Sequence, residues 1–305
     1  MDVLIMGAGG VGGYFGALLG RAGHRLTAVA RGPHLQALQN TGLRIEPASE
    51  NNFTVPVRAL ATPEACHIFD LVLVSVKSYD MDQAISLIRP VIGPNTTILT
   101  LLNGVESGEQ LAAAFGAEQV LDGVVYIESF IREPGIVAQV GGPCRAVFGN
   151  RNGASGERER KLFDNFVTAG WNVELADNVI GALWTKFAYL GPYAAFNTVT
   201  GLNSGQLCQA QECEEMMRQM VAEYVATGNA EGARLSLTMI DEVMERFRNP
   251  MIDMTSMMRD RVNGKHIEHE ALVGSVIRRG KAYGVATPVT AALYALLAPI
   301  AAVAR

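Results

Sequence analysis

Cysteine is scarce in this 305-residue chain: Cys66, Cys144, Cys208 and Cys213 are the four, and no two form a C-x-x-C pair. A dithiol redox motif and a paired-cysteine zinc site are therefore excluded, and the four read as reduced, mostly buried thiols of a cytoplasmic protein. Basic charge is also thin. Lys and Arg number 25 against 30 Asp and Glu, a formal net charge of −5 with no dense basic run, so duplex nucleic acid is not an expected partner. Long apolar runs are missing too. The best candidate, Val289 to Ala304, contains Pro299 and falls short of the roughly 20 residues a membrane helix needs. It reads as a buried C-terminal helix. The first residues carry no basic n-region, so a secretory signal peptide is not expected. No internal repeat or low-complexity tract appears. One local absence matters more: no Asp or Glu lies between Gly13 and Glu46.

What is present begins at once. Val3-Leu4-Ile5-Met6 reads as a buried strand, and Gly7-Ala8-Gly9-Gly10-Val11-Gly12 follows it. Tyr14, Phe15, Leu18 and Leu19 then fall on one helical face. Strand, glycine turn and helix in that order give the G-x-G-x-x-G pattern its meaning as a dinucleotide site. Gly7 permits the tight turn, Gly9 lets a pyrophosphate approach the backbone, and Gly12 lets helix and strand pack closely. The helix N-terminus offers N–H groups and a partial positive charge to the phosphates.

Strand-like and helix-like segments alternate through the first half. Arg25–Ala30, Leu71–Val76 and Thr97–Leu102 are apolar runs suited to parallel strands buried on both faces. Met81–Ile88 and Glu109–Phe115 are helical, and Val120–Ile127, Ile136–Val140 and Ala146–Phe148 suggest an antiparallel extension. A surface loop over 149–157 and a last strand, Trp171–Leu175, complete this part. From Asn178 onward helical spacing dominates, with breaks at Gly191-Pro192, Gly201, Asn249-Pro250 and Thr287-Pro288. The expected architecture is α/β: a doubly wound, mostly parallel Rossmann-type domain over 1–176, followed by an all-α domain over 177–305. A cleft between them is the natural place for a substrate.

The missing acidic residue bears on the cofactor. An NAD site usually carries a carboxylate at the end of the second strand for the ribose 2′-hydroxyl. Here that strand ends in Arg31, a planar cation suited to a 2′-phosphate, and Lys77 ends the third strand on the same carboxyl edge. NADP(H) is the expected cofactor.

These residues, with others along the chain, resemble the ketopantoate reductase (2-dehydropantoate 2-reductase) family. The likeness runs through Gly7–Gly12, Arg31, Val76-Lys77, Leu102-Asn103-Gly104 and Trp184-Thr185-Lys186-Phe187. It continues in Thr255-Ser256-Met257-Met258-Arg259-Asp260, Gly264-Lys265-His266-Ile267-Glu268, Gly274 and Thr287-Pro288. The resemblance implies NADPH-dependent reduction of a 2-oxo acid, forming (R)-pantoate for coenzyme A biosynthesis. It implies Lys186 as proton donor, Asn103 near nicotinamide and substrate, Ser256 holding the substrate, and Glu268 as a catalytic or cofactor-contacting carboxylate. Hydride delivery leaves negative charge on oxygen, which a cation or acid must take up. Lys186, among Trp184, Phe187, Tyr189 and Leu190, is placed for partial desolvation and a lowered pKa.

The chain departs from the family where asparagines would bind a polar hydroxy acid: Leu190, Ala194, Ser204 and Asp253 stand there instead. Losing such partners weakens discrimination for a hydroxyl. Asn197, three helical turns beyond Lys186, is a candidate replacement on the pocket wall. Three readings follow: ketopantoate reductase, a related oxidoreductase acting on a less polar 2-oxo or hydroxy acid, and a non-catalytic NADP-binding sensor. The expected partner is a small 2-oxo acid, and a homodimer is left open. His266, His269 and Glu270 have helical spacing for metal ligation, but no further ligands announce themselves, so no metal is expected. Met251, Met254, Met257 and Met258 read as core filler.

Overall fold

The structure is a computed structural model that describes residues 1–303 apart from Cys66, Ala154 and Met251. The readings for Cys66, Met251 and the end of the apolar stretch at Ala304 lie outside the described residues. The chain forms two compact units, residues 1–102 with 107–179, and residues 103–106 with 180–305.

The first unit is built in the order β1 (Asp2–Met6), α1 (Gly10–Arg21), β2 (Arg25–Val29), α2 (Gly32–Thr41), β3 (Leu43–Pro47), β4 (Phe53–Val55), β5 (Arg58–Leu60) and β6 (Leu71–Val74). It continues with α3 (Met81–Ile88), β7 (Thr97–Thr100), α4 (Ser107–Phe115), β8 (Val120–Glu133), β9 (Ile136–Gly149), α5 (Glu157–Thr168) and β10 (Asn172–Leu175). One ten-stranded sheet runs β4-β3-β9-β8-β7-β6-β1-β2-β5, with β10 also paired to β9. Strands β5, β2, β1, β6, β7 and β8 are mutually parallel. Because side chains alternate along a strand, β1 serves two cores. Val3 and Ile5 join α1, α2 and α5 on one face. Leu4 and Met6 join α3 and α4 on the other. On the α1 face, Trp171 stacks on Phe166 with centroids 4.1 Å apart, and its indole N–H donates to the Phe15 carbonyl at 3.1 Å.

Two features differ from the sequence reading. The apolar pieces over 120–149 are not three short strands but two 14-residue strands in one antiparallel hairpin. They join through Pro134-Gly135, where Gly135 has φ +83°, the geometry of a type II turn. Strands β3, β4 and β5 were not expected. They span three to five residues with mixed burial, too short and too polar for a periodic signal.

The second unit holds the segment 103–106 and the helices α6 (Val179–Thr200, its first residue lying in the first unit), α7 (Ser204–Leu207), α8 (Gln211–Ala230), α9 (Thr238–Arg248), α10 (Ser256–Val262), α11 (Ser275–Tyr283) and α12 (Pro288–Val303). A π-helical turn, Glu270–Gly274, precedes α11. The expected break at Gly191-Pro192 does not occur. Helix α6 continues through Pro192, although proline removes an intrahelical donor. Packing outweighs that loss: Gly191 leaves room for the Tyr224 ring, and the Tyr193 hydroxyl donates to the Ile252 carbonyl at 2.6 Å. The unit's centre is aromatic, with Trp184, Phe187 and Tyr224 in sequence and the Tyr224 hydroxyl donating to Leu272 O at 2.6 Å. Glu223 of α8 caps another helix. Its carboxylate accepts the Val289 and Thr290 N–H groups at 2.8 Å each and the Thr290 hydroxyl at 2.6 Å, at the start of α12.

Among the described residues no helix is long and apolar enough to cross a membrane. Cys144, Cys208 and Cys213 are free and only half-buried, not buried as expected. Of the methionines, Met257 is fully buried, while Met254 lies ahead of α10 and is exposed.

Candidate active site

In the first unit the glycine turn links the carboxyl end of β1 to α1, beside β6, where the connections leave in opposite directions. That switch point is the usual ligand crevice of a parallel sheet. Gly7 has φ +100°, and a Cβ there would stand 2.8 Å from the Ser75 carbonyl. A Cβ on Gly12 would overlap the Gly7 carbonyl oxygen and the Ser75 hydroxyl. Gly9 is different: a Cβ there meets nothing within 4 Å. Gly9 is also the N-cap of α1, with no side chain capping the first turn. The first N–H groups of a helix have no partner within it. The open side at Gly9, beside an uncapped helix start, could hold a dinucleotide pyrophosphate, whereas Gly10 packs against the Ser129 backbone of β8.

Two side chains missed by the sequence reading hold this turn. Ser75 donates its hydroxyl to Gly7 O at 2.7 Å, and His34 Nε2 lies 2.9 Å from Ala8 O. Neither has a linear signature, because each reaches the turn from a separate element. Arg31 is the N-cap of α2 and 60% exposed. Its guanidinium donates to Gln83 Oε1 at 2.5 Å and lies 4.0 Å from Asp80. Solvent screens such a pair, so the guanidinium can re-pair with an incoming anion. Lys77 is half-buried and caps a 3-10 turn, Ser78–Asp80, that follows β6.

In the second unit Lys186 lies on α6, and its ammonium donates to Asn103 Oδ1 at 2.5 Å. The residue keeps partial exposure, but its ammonium is deep enough that desolvation pushes its pKa down from 10.5 to about 8. The Asn103 segment is held firmly. Arg278 donates to Glu106 at 2.9 Å, and the buried Arg279 reaches Val105 O at 3.3 Å while pairing with Glu231 at 2.5 Å. Gly104, at φ +101°, lies against the Ala271 carbonyl of the π-helical turn. Glu268 is buried just ahead of that turn.

Ser256 is the first residue of α10 and half-buried. The helix is capped not by Ser256 but by Thr255, whose hydroxyl accepts the Met258 N–H at 3.3 Å. Asn197 takes a task different from the expected pocket wall. It is 1% exposed. Its Nδ2 donates to Leu202 O at 2.9 Å and Asp253 O at 3.2 Å. Its Oδ1 accepts the Thr255 N–H at 2.9 Å and the Thr255 hydroxyl at 3.0 Å. An amide with both donors and both lone pairs engaged has nothing left for a substrate. Of the residues at the replaced asparagine positions, Leu190 is half-buried, while Ala194 and Ser204 are fully buried. Asp253 accepts from Asn203 at 2.8 Å. His266 lies in the non-helical segment between α10 and the π-helical turn, and Glu270 is engaged by Arg278 and the Tyr294 hydroxyl, so the three do not form the helical face considered for a metal. Among the described residues no group of three His, Cys, Asp or Glu side chains is placed to hold a metal ion.

Comparison with known proteins supplies the family. Residues 3–153 match the family model described as ketopantoate reductase PanE/ApbA, and residues 178–301 match its C-terminal model. The chain belongs to the ketopantoate reductase family. The uncharacterized oxidoreductase YkpB of Bacillus subtilis is 30% identical, with 97% of this chain and 98% of that protein aligned. The 2-dehydropantoate 2-reductase of Mesorhizobium japonicum is 29% identical, covering 99% and 98%. The crystal structure of a PanE/ApbA family ketopantoate reductase from Ralstonia eutropha superposes with a TM-score of 0.90 at 35% identity, covering 99% of each chain. As a family member the chain is an oxidoreductase acting on CH–OH groups and the corresponding carbonyls.

Proposed function

We propose that this protein reduces a 2-oxo acid to the 2-hydroxy acid with NADPH, with 2-dehydropantoate as the first substrate to test. The Lys186–Asn103 pair carries this reading, because a buried ammonium near its titration point is what ketone reduction needs. Bound NADPH supplies a hydride to the carbonyl carbon. The Lys186 ammonium gives its proton to the carbonyl oxygen as negative charge develops there. With a pKa of about 8, it stays protonated at neutral pH yet releases the proton more readily than an ordinary lysine. Asn103 Oδ1 fixes the direction of Nζ. Ser256 offers a hydroxyl to the substrate, and Glu268, a buried carboxylate, takes the role of a catalytic or cofactor-contacting group. Gly7 to Gly12 cradle the pyrophosphate, while Arg31 and Lys77 favour a 2′-phosphate over a free 2′-hydroxyl.

A second substrate reading rests on Leu190 and Ala194. Where the family's amides would pair a substrate hydroxyl, these side chains offer no hydrogen bond. A 2-oxo acid with a bulkier, less polar side chain is the alternative. The deciding experiment follows NADPH oxidation with ketopantoate and a panel of apolar 2-oxo acids, repeated with NADH. Turnover of ketopantoate with NADPH preferred supports the first reading. Turnover of the apolar acids alone supports the second. Dinucleotide binding without turnover of any acid, unaffected by Lys186→Ala, leaves only a sensor.

A further inference from the structure

His34 lies in the first turn of α2, and its two ring nitrogens have different neighbours. Nδ1 receives the backbone N–H of Gly135 at 3.0 Å. A backbone amide can only donate, so Nδ1 carries no proton and the ring's hydrogen sits on Nε2. That N–H donates to the Ala8 carbonyl at 2.9 Å. The partners therefore fix one neutral tautomer. Burial also holds the imidazole's pKa below its usual value, despite the opposing effect of the Ala8 carbonyl.

Ala8 O belongs to the peptide that joins Ala8 to Gly9. That peptide is trans, since the described residues include no cis bond. In a trans peptide the C=O and N–H point in opposite directions. Pulling Ala8 O toward α2 therefore turns the Gly9 N–H away from it. Ser75 acts similarly one peptide earlier, holding Gly7 O and so orienting the Ala8 N–H. His34 is itself braced by the Pro134-Gly135 turn, where a Cβ on Gly135 would lie 3.0 Å from the Ala37 methyl. The brace thus runs from the hairpin tip through an imidazole to the glycine turn.

The geometry points to His34 as a positioning residue for the dinucleotide: it aims the Gly9 N–H at the pyrophosphate. The inference rests on the dinucleotide-binding reading proposed above. It also separates two contributions on α2. His34 acts on the pyrophosphate, which NADPH and NADH share. Arg31, the N-cap of the same helix, acts on the 2′-phosphate, which NADPH alone carries.

The test is direct cofactor binding, measured by quenching of protein fluorescence and by isothermal titration, without substrate. His34→Ala is expected to raise the Kd of both NADPH and NADH by about tenfold, the worth of one aimed hydrogen bond to a charged group. Arg31→Ala is expected to raise the Kd of NADPH while leaving that of NADH unchanged. His34→Gln has a donor and an acceptor at similar spacing and is expected to recover most of the affinity, and it serves as the reporting variant if the alanine protein does not fold. A general loss of stability would lower the melting temperature in both His34 variants without this rescue. Wild-type binding with unchanged affinities in His34→Ala overturns the inference alone, as does a His34→Gln protein that binds no better than His34→Ala. Failure of the wild type to bind either dinucleotide overturns the cofactor reading, and this inference with it.

Discussion

Replacing Asn103 with alanine removes the acceptor of the 2.5 Å hydrogen bond from the Lys186 ammonium. An ammonium donates more strongly than a neutral amine, so this acceptor favours the charged lysine. Burial works in the other direction and brings the pKa from 10.5 to about 8. A hydrogen bond to a charged group is worth about 1.5–3 kcal/mol, and one pH unit corresponds to about 1.4 kcal/mol. Asn103→Ala should therefore move the Lys186 titration down by about one to two pH units. Asn103→Asp has the opposite sign. A carboxylate about 4 Å away at an effective dielectric constant of about 20 attracts the ammonium by roughly 4 kcal/mol, less the cost of burying the new charge, so the titration should move up. The assay is the initial rate of NADPH oxidation from about pH 6 to about pH 10 at saturating substrate. On the proposed role reduction needs the protonated lysine, so the wild-type rate should fall as pH rises through about 8. That limb should shift to lower pH in Asn103→Ala, shift to higher pH in Asn103→Asp, and disappear with most of the activity in Lys186→Met. Oxidation of the hydroxy acid needs the neutral amine and should rise with pH through the same region. A limb that stays in place in both Asn103 variants would refute the pairing and remove the main support for Lys186 as proton donor.

Two further predictions concern the scaffold. Asn197→Ala should destabilise the protein by about 2–3 kcal/mol in urea denaturation, because several buried groups lose partners together, and it should raise KM for the 2-oxo acid as Ser256 loses its anchored neighbour Thr255. Raised KM at unchanged stability would instead restore Asn197 to the pocket wall. Glu223→Ala should cost about 2 kcal/mol or more, since it leaves buried N–H groups at the start of α12 without an acceptor; a midpoint equal to wild type would show that the cap is dispensable.

Contiguous residues determined much of this protein. Val3–Met6 followed by Gly7–Gly12 specifies a strand, a turn and a helix start, because the left-handed φ at Gly7 is a local demand that glycine meets without strain. Runs such as Leu71–Val74 announce strands buried on both faces, and the family motifs nominate Lys186, Asn103, Ser256 and Glu268 as candidate site residues. Tertiary structure decided which distant groups meet. Lys186 and Asn103 are 83 residues apart, His34 and Gly135 are 101 apart, and Glu223 and Thr290 are 67 apart. Periodicity records which face of an element is buried, not which remote group it is buried against. Asn197 shows the difference. Its helical register was legible, but the Thr255 and Asp253 groups that make three of its amide's four hydrogen bonds arrive only when the chain folds back. Pro192 shows it as well: a local signal to stop the helix was overruled by aromatic packing from α8. The short strands β3 to β5 were silent for a related reason, since a strand of three to five residues is stabilised by the neighbours it pairs with rather than by its own side chains.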